Sequence, residues 1–543
     1  MLEKIKSFTR GHLRWRWVRW QNDRRIEALA AQVKSASQPA PDVRPVVFFN
    51  ASTRLSGLSL NAAYNLLTAW SLRLSGVPVV HFACRAGLEQ CVLGLNREDL
   101  AAAPPCRACL AQSQAVYAHA DVRWLEKGRD AALEAALRDL PLEALLAFTW
   151  QEVPLGELAL PALRWTLRRH HLPDTDEVRG VARRFMLGAW QVTCAFNRLL
   201  DEVKPQAVVV FNGMFYPEAA TRRAARQRGL PVFSHEVGLQ PFSAYFTPGE
   251  ATAYPIDIPA DFELSAAQNQ QLDAYLARRF KGDFSMAGIR FWPEMTGLSP
   301  EFEAKAAAFR QVVPVFTNVI FDTSQPHSNV VFPHMFAWLD EVLALAESRP
   351  DTLFVIRAHP DESRPGKESR ESVGAWAAER QVSRRDNVVF VESNQPFSSY
   401  EMIQRAKFVM IYNSTIGLEA AIMGAAVLCA GKARFTQYPT VFFPATVDDF
   451  RQTAQDFLAA EKVSPRPEFA RNARRFLYYQ LYRTSLPFDA WLEEDGIWRG
   501  FVRLKPFGIK ELLPGASKTM SVIADGILRG GTFLLDEEPC AKE

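Results

Sequence analysis

The chain contains no run of 18 apolar residues, and its amino terminus lacks the apolar core of a signal peptide. It therefore offers no membrane-spanning segment, and we predict a cytoplasmic protein. The net charge is also small: 63 Lys and Arg residues against 60 Asp and Glu residues give a formal net charge of +3. That balance argues against a nucleic-acid partner. Seven cysteines, an odd number in 543 residues, indicate thiols or metal ligands rather than a disulfide framework.

Two buried strands in the second half of the chain each end in a polar cluster. The first, 353–356, and the second, 408–412, consist almost entirely of apolar residues. Polar side chains follow at once: Arg357 and His359 after the first strand, and Asn413, Ser414 and Thr415 after the second. Because the carboxyl ends of parallel strands share one edge of a sheet, this layout predicts a ligand crevice there.

A helix of small residues is predicted directly after Thr415. Its start would present free backbone N–H groups and the positive end of the helix dipole, which suit a phosphate. Glu419 is the only charged residue between 416 and 431, and a carboxylate on so apolar a helix needs donors. We expect Glu419 to bind sugar or ribose hydroxyls. The alternative is an ordinary capped helix whose glutamate pairs with a neighbouring arginine.

The sequence Arg-Ala-His-Pro at 357–360 and the later Asn-Ser-Thr-Ile-Gly-Leu-Glu-Ala-Ala-Ile-Met-Gly at 413–424 together resemble one family. They are similar to the nucleotide-sugar half of two-domain GT-B glycosyltransferases, above all the bacterial capsule polysaccharide biosynthesis group, which includes capsule Kdo transferases. The resemblance covers roughly 310–440.

The resemblance implies an α/β, GT-B-like fold in which two Rossmann-type domains face a cleft. It also implies metal-independent transfer of a sugar from a CMP-, UDP- or GDP-linked donor to a glycan or glycolipid acceptor. Arg357 and His359 would contact the donor, with His359 assisting the departing nucleotide, and Thr317 and Asn318 would lie near its phosphates.

The predicted divisions follow from composition and from this resemblance. They are a basic aromatic helix with its linker (1–40), an acceptor-side Rossmann-like domain with a four-cysteine insertion (41–255), an interdomain connection (256–305), a nucleotide-sugar domain (306–455) and a C-terminal helical extension (456–543).

Polar residues also follow the strands predicted in the first half. Asn50 and Arg54 follow the strand at 46–49, and Asn212 follows the strand at 207–211. We place all three on the acceptor side, with ordinary turn residues as the alternative for Asn50 and Arg54. His235 or Glu236, at the end of a further strand, is the candidate general base, because a base must reach the acceptor hydroxyl.

Four cysteines, Cys84, Cys91, Cys106 and Cys109, fall within 26 residues. Four thiols at this spacing can close a tetrahedral site, and we expect a structural zinc ion or, alternatively, an iron–sulfur cluster. Reduced thiols packed in a loop are the competing interpretation.

Residues 1–40 carry nine Lys and Arg against three acidic residues, interspersed with tryptophans. Such a helix suits the inner face of an anionic cytoplasmic membrane. It could equally be a solvated helix that docks on the protein through its tryptophans.

Two further functions stay open at this stage. A nucleotide-sugar 2-epimerase would share the architecture but would act on the donor without an acceptor. A non-catalytic glycan-binding scaffold would keep the fold and lack activity.

Overall fold

The computed structural model describes residues 2–51, 57–281, 297–395, 397–498 and 500–536, and side chains from residue 14 onward. The described helices are α1 Leu2–Ala36, α2 Leu60–Leu74, α3 Cys106–Val116, α4 Ala131–Leu137, α5 Leu142–Leu146, α6 Leu155–Leu167, α7 Asp176–Val203, α8 Tyr216–Gln227, α9 Ala266–Phe280, α10 Pro300–Ala307, α11 Gln325–Ser328, α12 Met335–Ser348, α13 Val373–Glu379, α14 Ser399–Arg405, α15 Ile416–Ile422, α16 Val447–Ala459, α17 Pro467–Tyr478 and α18 Lys518–Arg529. None of the described helices is long and apolar enough to span a bilayer.

The strands form two main sheets and one small hairpin. They are β1 Val46–Asn50, β2 Val79–Cys84, β3 Asp121–Leu125, β4 Ala207–Phe211, β5 Val232–Val237, β6 Ser243–Thr247, β7 Gln311–Phe316, β8 Thr352–Arg357, β9 Val388–Val391, β10 Val409–Ile411, β11 Val427–Cys429, β12 Leu486–Pro487, β13 Leu492–Glu494 and β14 Val502–Leu504.

The first sheet has the order β12-β6-β5-β4-β1-β2-β3. Its five strands from β3 to β5 are parallel, with Val46 opposite both Val79 on β2 and Ala207 on β4. Every residue of β1 is buried, as expected for a central strand with helices on both faces. One face packs on α1, α2 and α18, and the other on α6, α7 and α8.

The second sheet has the order β11-β10-β7-β8-β9, and all of its pairings are parallel. Strands β7 and β8 are buried along their whole length. Helix α12 and helix α16 cover one face, and α15 and α17 cover the other. The expectation of two Rossmann-type domains is confirmed.

In both sheets the strand order reverses beside the first strand of the domain. The chain adds strands outward on one side of β1 or β7 and then crosses to the other side with β4 or β10. Such a reversal leaves a crevice at the carboxyl ends of the two central strands, where ligands of this architecture bind. The topology therefore points to Asn50 and Asn212 in the first domain and to Asn318 and Asn413 in the second.

The C-terminal segment differs from the predicted helical extension. After α17 the chain returns to the first domain, where β12 pairs antiparallel with β6 and α18 packs near α2. The hairpin of β13 and β14 packs beside α1: Asn22 Nδ2 donates to Val502 O over 3.5 Å, and the Leu504 N–H donates to Asn22 Oδ1 over 2.9 Å. Both ends of the chain thus complete the first domain.

Candidate functional site

A cleft of about 580 Å³ lies between the two domains. The second domain contributes residues from the ends of β7, β8 and β10, and the first contributes Trp165 and Thr252. Five residues predicted from the sequence line it together: Asn318, His359, Asn413, Ser414 and Thr415. A volume of several hundred Å³ suits a small ligand such as a nucleotide sugar.

The reversal point of the second sheet is closed by a chain of amide hydrogen bonds. Asn318 Nδ2 donates to Asn413 Oδ1 over 2.7 Å, and Asn413 Nδ2 donates to Ser328 Oγ over 2.7 Å. These bonds tie the loops after β7 and β10 to α11. Thr317, by contrast, is buried, and its hydroxyl donates to the Arg357 carbonyl over 2.9 Å, so it holds β7 to β8 rather than lining the cleft.

Ser414 and Thr415 precede α15 at the wall of the cleft. Thr415 is the residue at the cap position, and its side chain forms no cap hydrogen bond. The Gly417 and Leu418 N–H groups already donate to the carbonyls of Ser414 and Thr415. The start of α15 therefore offers the cleft the hydroxyls of Ser414 and Thr415.

Three basic residues that the sequence analysis missed also line the cleft: Lys367, Lys432 and Arg434. Lys432 follows β11, the strand beside β10, so a basic residue just after a strand end was the available signal. The Arg434 guanidinium lies 3.8 Å from the centre of the ring of Tyr254, a residue of the first domain. These cations make the cleft suitable for phosphate.

His359 and Arg357 do not act as the predicted pair. His359 lines the cleft, where burial lowers its pKa, while nearby Asp361 opposes that shift. Arg357 lies behind it, 5% exposed, with its guanidinium near the Phe397 ring and Nη2 donating to the Gln395 carbonyl over 3.5 Å. Burial lowers the Arg357 pKa to about 10. Arg357 is therefore not a lining residue in this arrangement.

Glu419 also differs from its predicted place. Its Oε1 accepts hydrogen bonds from the Arg279 guanidinium over 2.5 and 2.6 Å, and its Oε2 accepts from the Tyr400 hydroxyl over 2.5 Å. The carboxylate is 3% exposed and is not part of the cleft wall. The glutamate finds the donors that its apolar helix demands, but they come from α9 and α14 rather than from sugar hydroxyls.

Glu236, at the end of β5, is held by the first domain with its carboxylate oriented. Its Oε2 accepts from Asn212 Nδ2 over 2.7 Å, and its Oε1 accepts from Asn61 Nδ2 over 3.2 Å. It is partly exposed in a recess where the surrounding protein desolvates it, and this desolvation raises its pKa. The charge of Asp322, a cleft-lining residue of the second domain, raises the pKa further.

His235, the other candidate base, is wrong for that role. It is fully buried, its ring stacks on Phe246, and its Nε2 lies 3.3 Å from Asn65 Nδ2. Burial lowers its pKa to about 3. Successive strand residues point to opposite faces, so His235 enters the core where Glu236 does not.

Asn50 and Arg54 are the two remaining acceptor-side candidates. Asn50 is buried, and its Nδ2 lies 3.2 Å from His81 Nδ1 and donates to the Phe48 carbonyl over 3.2 Å. It therefore joins β1 to β2 rather than facing the cleft. Arg54 lies outside the described residues.

The four cysteines of the insertion line one cavity of about 20 Å³ in the first domain, separate from the cleft. As the described side chains are placed, no group of three or more His, Cys, Asp or Glu has the spacing of metal ligands.

Comparison with known proteins agrees with the resemblance predicted from the motifs. Residues 302–455 match the family model described as capsule polysaccharide biosynthesis protein. That segment holds β7 to β11 and all second-domain residues of the cleft named above. The resemblance of this domain to the capsule polysaccharide biosynthesis group is thus confirmed.

A curated relative is Protein FixF of Sinorhizobium fredii, 27% identical over 230 residues. The match covers 41% of this chain and 48% of FixF, so it spans about half the length of that relative.

Two solved structures align with a TM-score below 0.5. A Thermosulfurimonas dismutans KpsC structure, beta Kdo 2,4 transferase, is 13% identical with a TM-score of 0.35, over 52% of this chain and 80% of its own. The UDP-GlcNAc 2-epimerase of Neisseria meningitidis, bound to UDP-GlcNAc, is 11% identical with a TM-score of 0.26, over 81% and 99%. At these scores neither structure supports an argument about the site, which is described from the geometry of this chain alone.

We predict that Glu419→Ala destabilises the second domain by about 3–5 kcal/mol, because it removes the carboxylate that compensates the buried Arg279. Urea unfolding monitored by tryptophan fluorescence measures this loss. The double variant Arg279→Leu/Glu419→Leu should recover most of it, since an apolar pair can replace a buried ion pair. An unchanged urea midpoint for Glu419→Ala, together with lost donor binding, would instead restore the role predicted from the sequence.

Proposed function

We propose that this chain is a glycosyltransferase of GT-B type that moves a sugar from a nucleotide-sugar donor to a surface polysaccharide or lipid-linked glycan. The observation that carries the proposal is the cleft itself. The second sheet turns its reversal point toward the cleft, and the first domain supplies the opposite wall with Trp165 and Thr252, so that a donor on one wall would meet an acceptor on the other. The family match of residues 302–455 supports a place in surface polysaccharide synthesis.

The second domain would hold the donor. Ser414 and Thr415 would donate hydrogen bonds to the phosphate, and Lys432 and Lys367 would neutralise its charge. His359 and Asn318 would fix the rest of the donor against the same wall. Since the negative charge on the phosphate grows as the sugar departs, donors already in place stabilise the transition state more than the ground state. These cations, rather than a catalytic metal, would stabilise the leaving nucleotide.

The first domain would activate the acceptor through Glu236. Asn212 and Asn61 fix the direction of its carboxylate, and burial favours the protonated form relative to an ordinary glutamate. A base with a raised pKa takes a proton from a hydroxyl more readily than an ordinary carboxylate. Glu236 is not among the residues that line the cleft, but the charge of the cleft-lining Asp322 contributes to its raised pKa, so the acceptor hydroxyl would lie between Glu236 and the donor wall.

We expect Glu236→Gln to slow sugar transfer by about 10²–10⁴-fold while leaving nucleotide binding intact, because it removes the base without removing the donor wall. The assay presents CMP-, UDP- and GDP-sugars with a glycan acceptor and follows released nucleotide and product mass. Glu143→Gln, an exposed carboxylate on α5, is the control and should transfer at the wild-type rate.

The wild-type rate should also fall as the pH is lowered through the raised pKa of Glu236, because only its ionised form accepts a proton. The fall should therefore begin at a higher pH than the pKa of an ordinary glutamate would give. Wild-type transfer by Glu236→Gln would remove Glu236 as the base. Conversion of the donor into its 2-epimer without an acceptor would make the protein an epimerase, and failure to bind any nucleotide would make it a scaffold.

We also propose that α1 seats the enzyme on the inner face of the cytoplasmic membrane. Trp17, Trp20 and Trp498 are each more than half exposed. The β13–β14 hairpin lies along α1. Asn22 is hydrogen-bonded to Val502 and Leu504, and Arg25 Nη1 donates to the Leu504 carbonyl over 2.5 Å. The hairpin turn that carries Trp498 therefore lies toward the tryptophan end of the helix.

The same region exposes Arg14, Arg16 and Arg24. Exposed tryptophans with cations suit an anionic headgroup layer, where each basic residue contributes about 1 kcal/mol. The C-terminal half of α1 is tied to the protein by Ile26, Leu29 and Val33, which are buried. The helix is thus firmly attached at one end and available to lipid at the other.

Co-sedimentation with lipid vesicles tests this membrane contact. The protein should bind phosphatidylglycerol vesicles and not phosphatidylcholine vesicles, and binding should weaken with salt. Trp17→Ala/Trp20→Ala should bind several-fold more weakly, because the apolar anchors are gone. Equal binding to both vesicle types, or none to either, would contradict the proposal.

A further inference from the structure

The fold brings together four thiols from three neighbouring segments of the chain. Cys84 ends β2, Cys91 lies in the loop that follows, and Cys106 and Cys109 occupy the first turn of α3. All four line the same small cavity, of about 20 Å³. A space of that size holds about one small atom or ion.

Two of the cysteines begin matching tight turns, Cys84-Arg85-Ala86-Gly87 and Cys91-Val92-Leu93-Gly94. The Gly87 N–H donates to Cys84 Sγ over 3.3 Å. Burial raises the pKa of the Cys84 and Cys91 thiols, and backbone amides, those of Leu88 and Gly87 at Cys84 and of Gly94 and Leu93 at Cys91, oppose that shift. Such amides would support the thiolates once a metal ion compensates for their burial.

Close packing requires glycine at position 87 and leaves little room for a side chain at position 94. A Cβ at Gly87 would lie 2.3 Å from the Leu125 carbonyl oxygen. A Cβ at Gly94 would lie 3.2 Å from Pro104 and 3.4 Å from the Cys91 Cβ. The two turns are therefore drawn tightly around the cavity, against β3 on one side and the start of α3 on the other.

The loop between Cys91 and Cys106 also reaches the second domain. Glu98 Oε1 accepts from Arg168 Nη2 over 2.5 Å, and Glu98 Oε2 accepts from Arg370 Nη2 over 2.7 Å. Arg97 Nη1 lies 3.5 Å from the Gly366 carbonyl, beside Lys367 of the cleft wall. This loop is thus a bridge between the domains, and its base is the four-cysteine cavity.

We propose that Cys84, Cys91, Cys106 and Cys109 bind one structural zinc ion, which fixes the bridge formed by Arg97 and Glu98 against the second domain. The thiols surround the cavity without yet having the spacing of metal ligands, so binding would release their protons and draw the sulfurs inward. Four thiolates fill a tetrahedral zinc site and leave no position for substrate. The ion would act on the cleft only through the bridge.

Elemental analysis of the full-length protein, purified without chelator, tests the site directly. We expect about one zinc per chain, and the loss of that zinc in Cys106→Ser/Cys109→Ser. Cys194→Ser, which changes a cysteine on α7 outside the cavity, is the matched control and should keep the zinc. Wild-type protein without zinc, stoichiometric iron with sulfide, or a disulfide among the four cysteines would each overturn the proposal.

Hydrogen exchange tests whether the zinc ion holds the Arg97–Glu98 bridge against the second domain. Removing zinc from the wild-type protein with a chelator should increase amide exchange in residues 364–371, which contact Arg97 and Glu98, and should expose the four thiols to alkylation. Zinc release with unchanged exchange in that loop would overturn the bracing role. Neither readout depends on sugar transfer, so this proposal and the transferase proposal can fail separately.

Discussion

The reversal of strand order in each parallel sheet is the constraint on which the rest of the molecule depends. Where the chain crosses from one side of the first strand to the other, no connecting loop covers the strand ends, and a crevice remains. In the second domain the hydrogen bond between Asn318 and Asn413 spans that crevice. The loops after β7 and β10 are therefore held at a fixed separation, with the start of α15 and Lys432 beside them. A ligand phosphate would meet donors that need no rearrangement.

The contact between the domains combines polar and apolar parts. Arg168 of the first domain pairs with Glu368 of the second, and His171 Nδ1 lies 2.5 Å from Glu371 Oε1. Tyr245 and Ala251 of the first domain belong to a hydrophobic cluster that continues into the second domain. Exposed ion pairs contribute little stability, and relative motion is the usual expectation for domains whose contact is partly polar. Such motion would let the cleft open for ligand exchange and close for transfer.

Much of the fold followed from local patterns in the sequence. Buried apolar strands ending in polar residues predicted both central crevices, and five of the predicted donor residues share one wall. The edge strand β3 was not predicted, because the alternating polar and apolar residues of Asp121–Leu125 extend over only five positions between α3 and α4. The C-terminal segment pairs with the first sheet through only two residues of β12, which is too short a strand for its pattern to show in the sequence.

The errors at the site arise from contacts distant in sequence. Arg279 is 140 residues from Glu419, and no local pattern indicates that it fills the carboxylate's hydrogen-bonding capacity. His235 and Glu236 could not be separated from the sequence, because β5 is buried on both faces and lacks the alternation that assigns side chains to a face. Lys367 lies in a loop whose path no periodicity predicts.

The central claim is that the second domain holds a nucleotide by its phosphate at the ends of β8, β10 and β11. Hydrogen exchange of the whole protein with and without CMP, UDP or GDP measures this most directly. One of these nucleotides should protect the amides of 413–418 and of 432–434, together with the loop after His359. Unchanged exchange there with every nucleotide, or protection confined to the first domain, would contradict the claim.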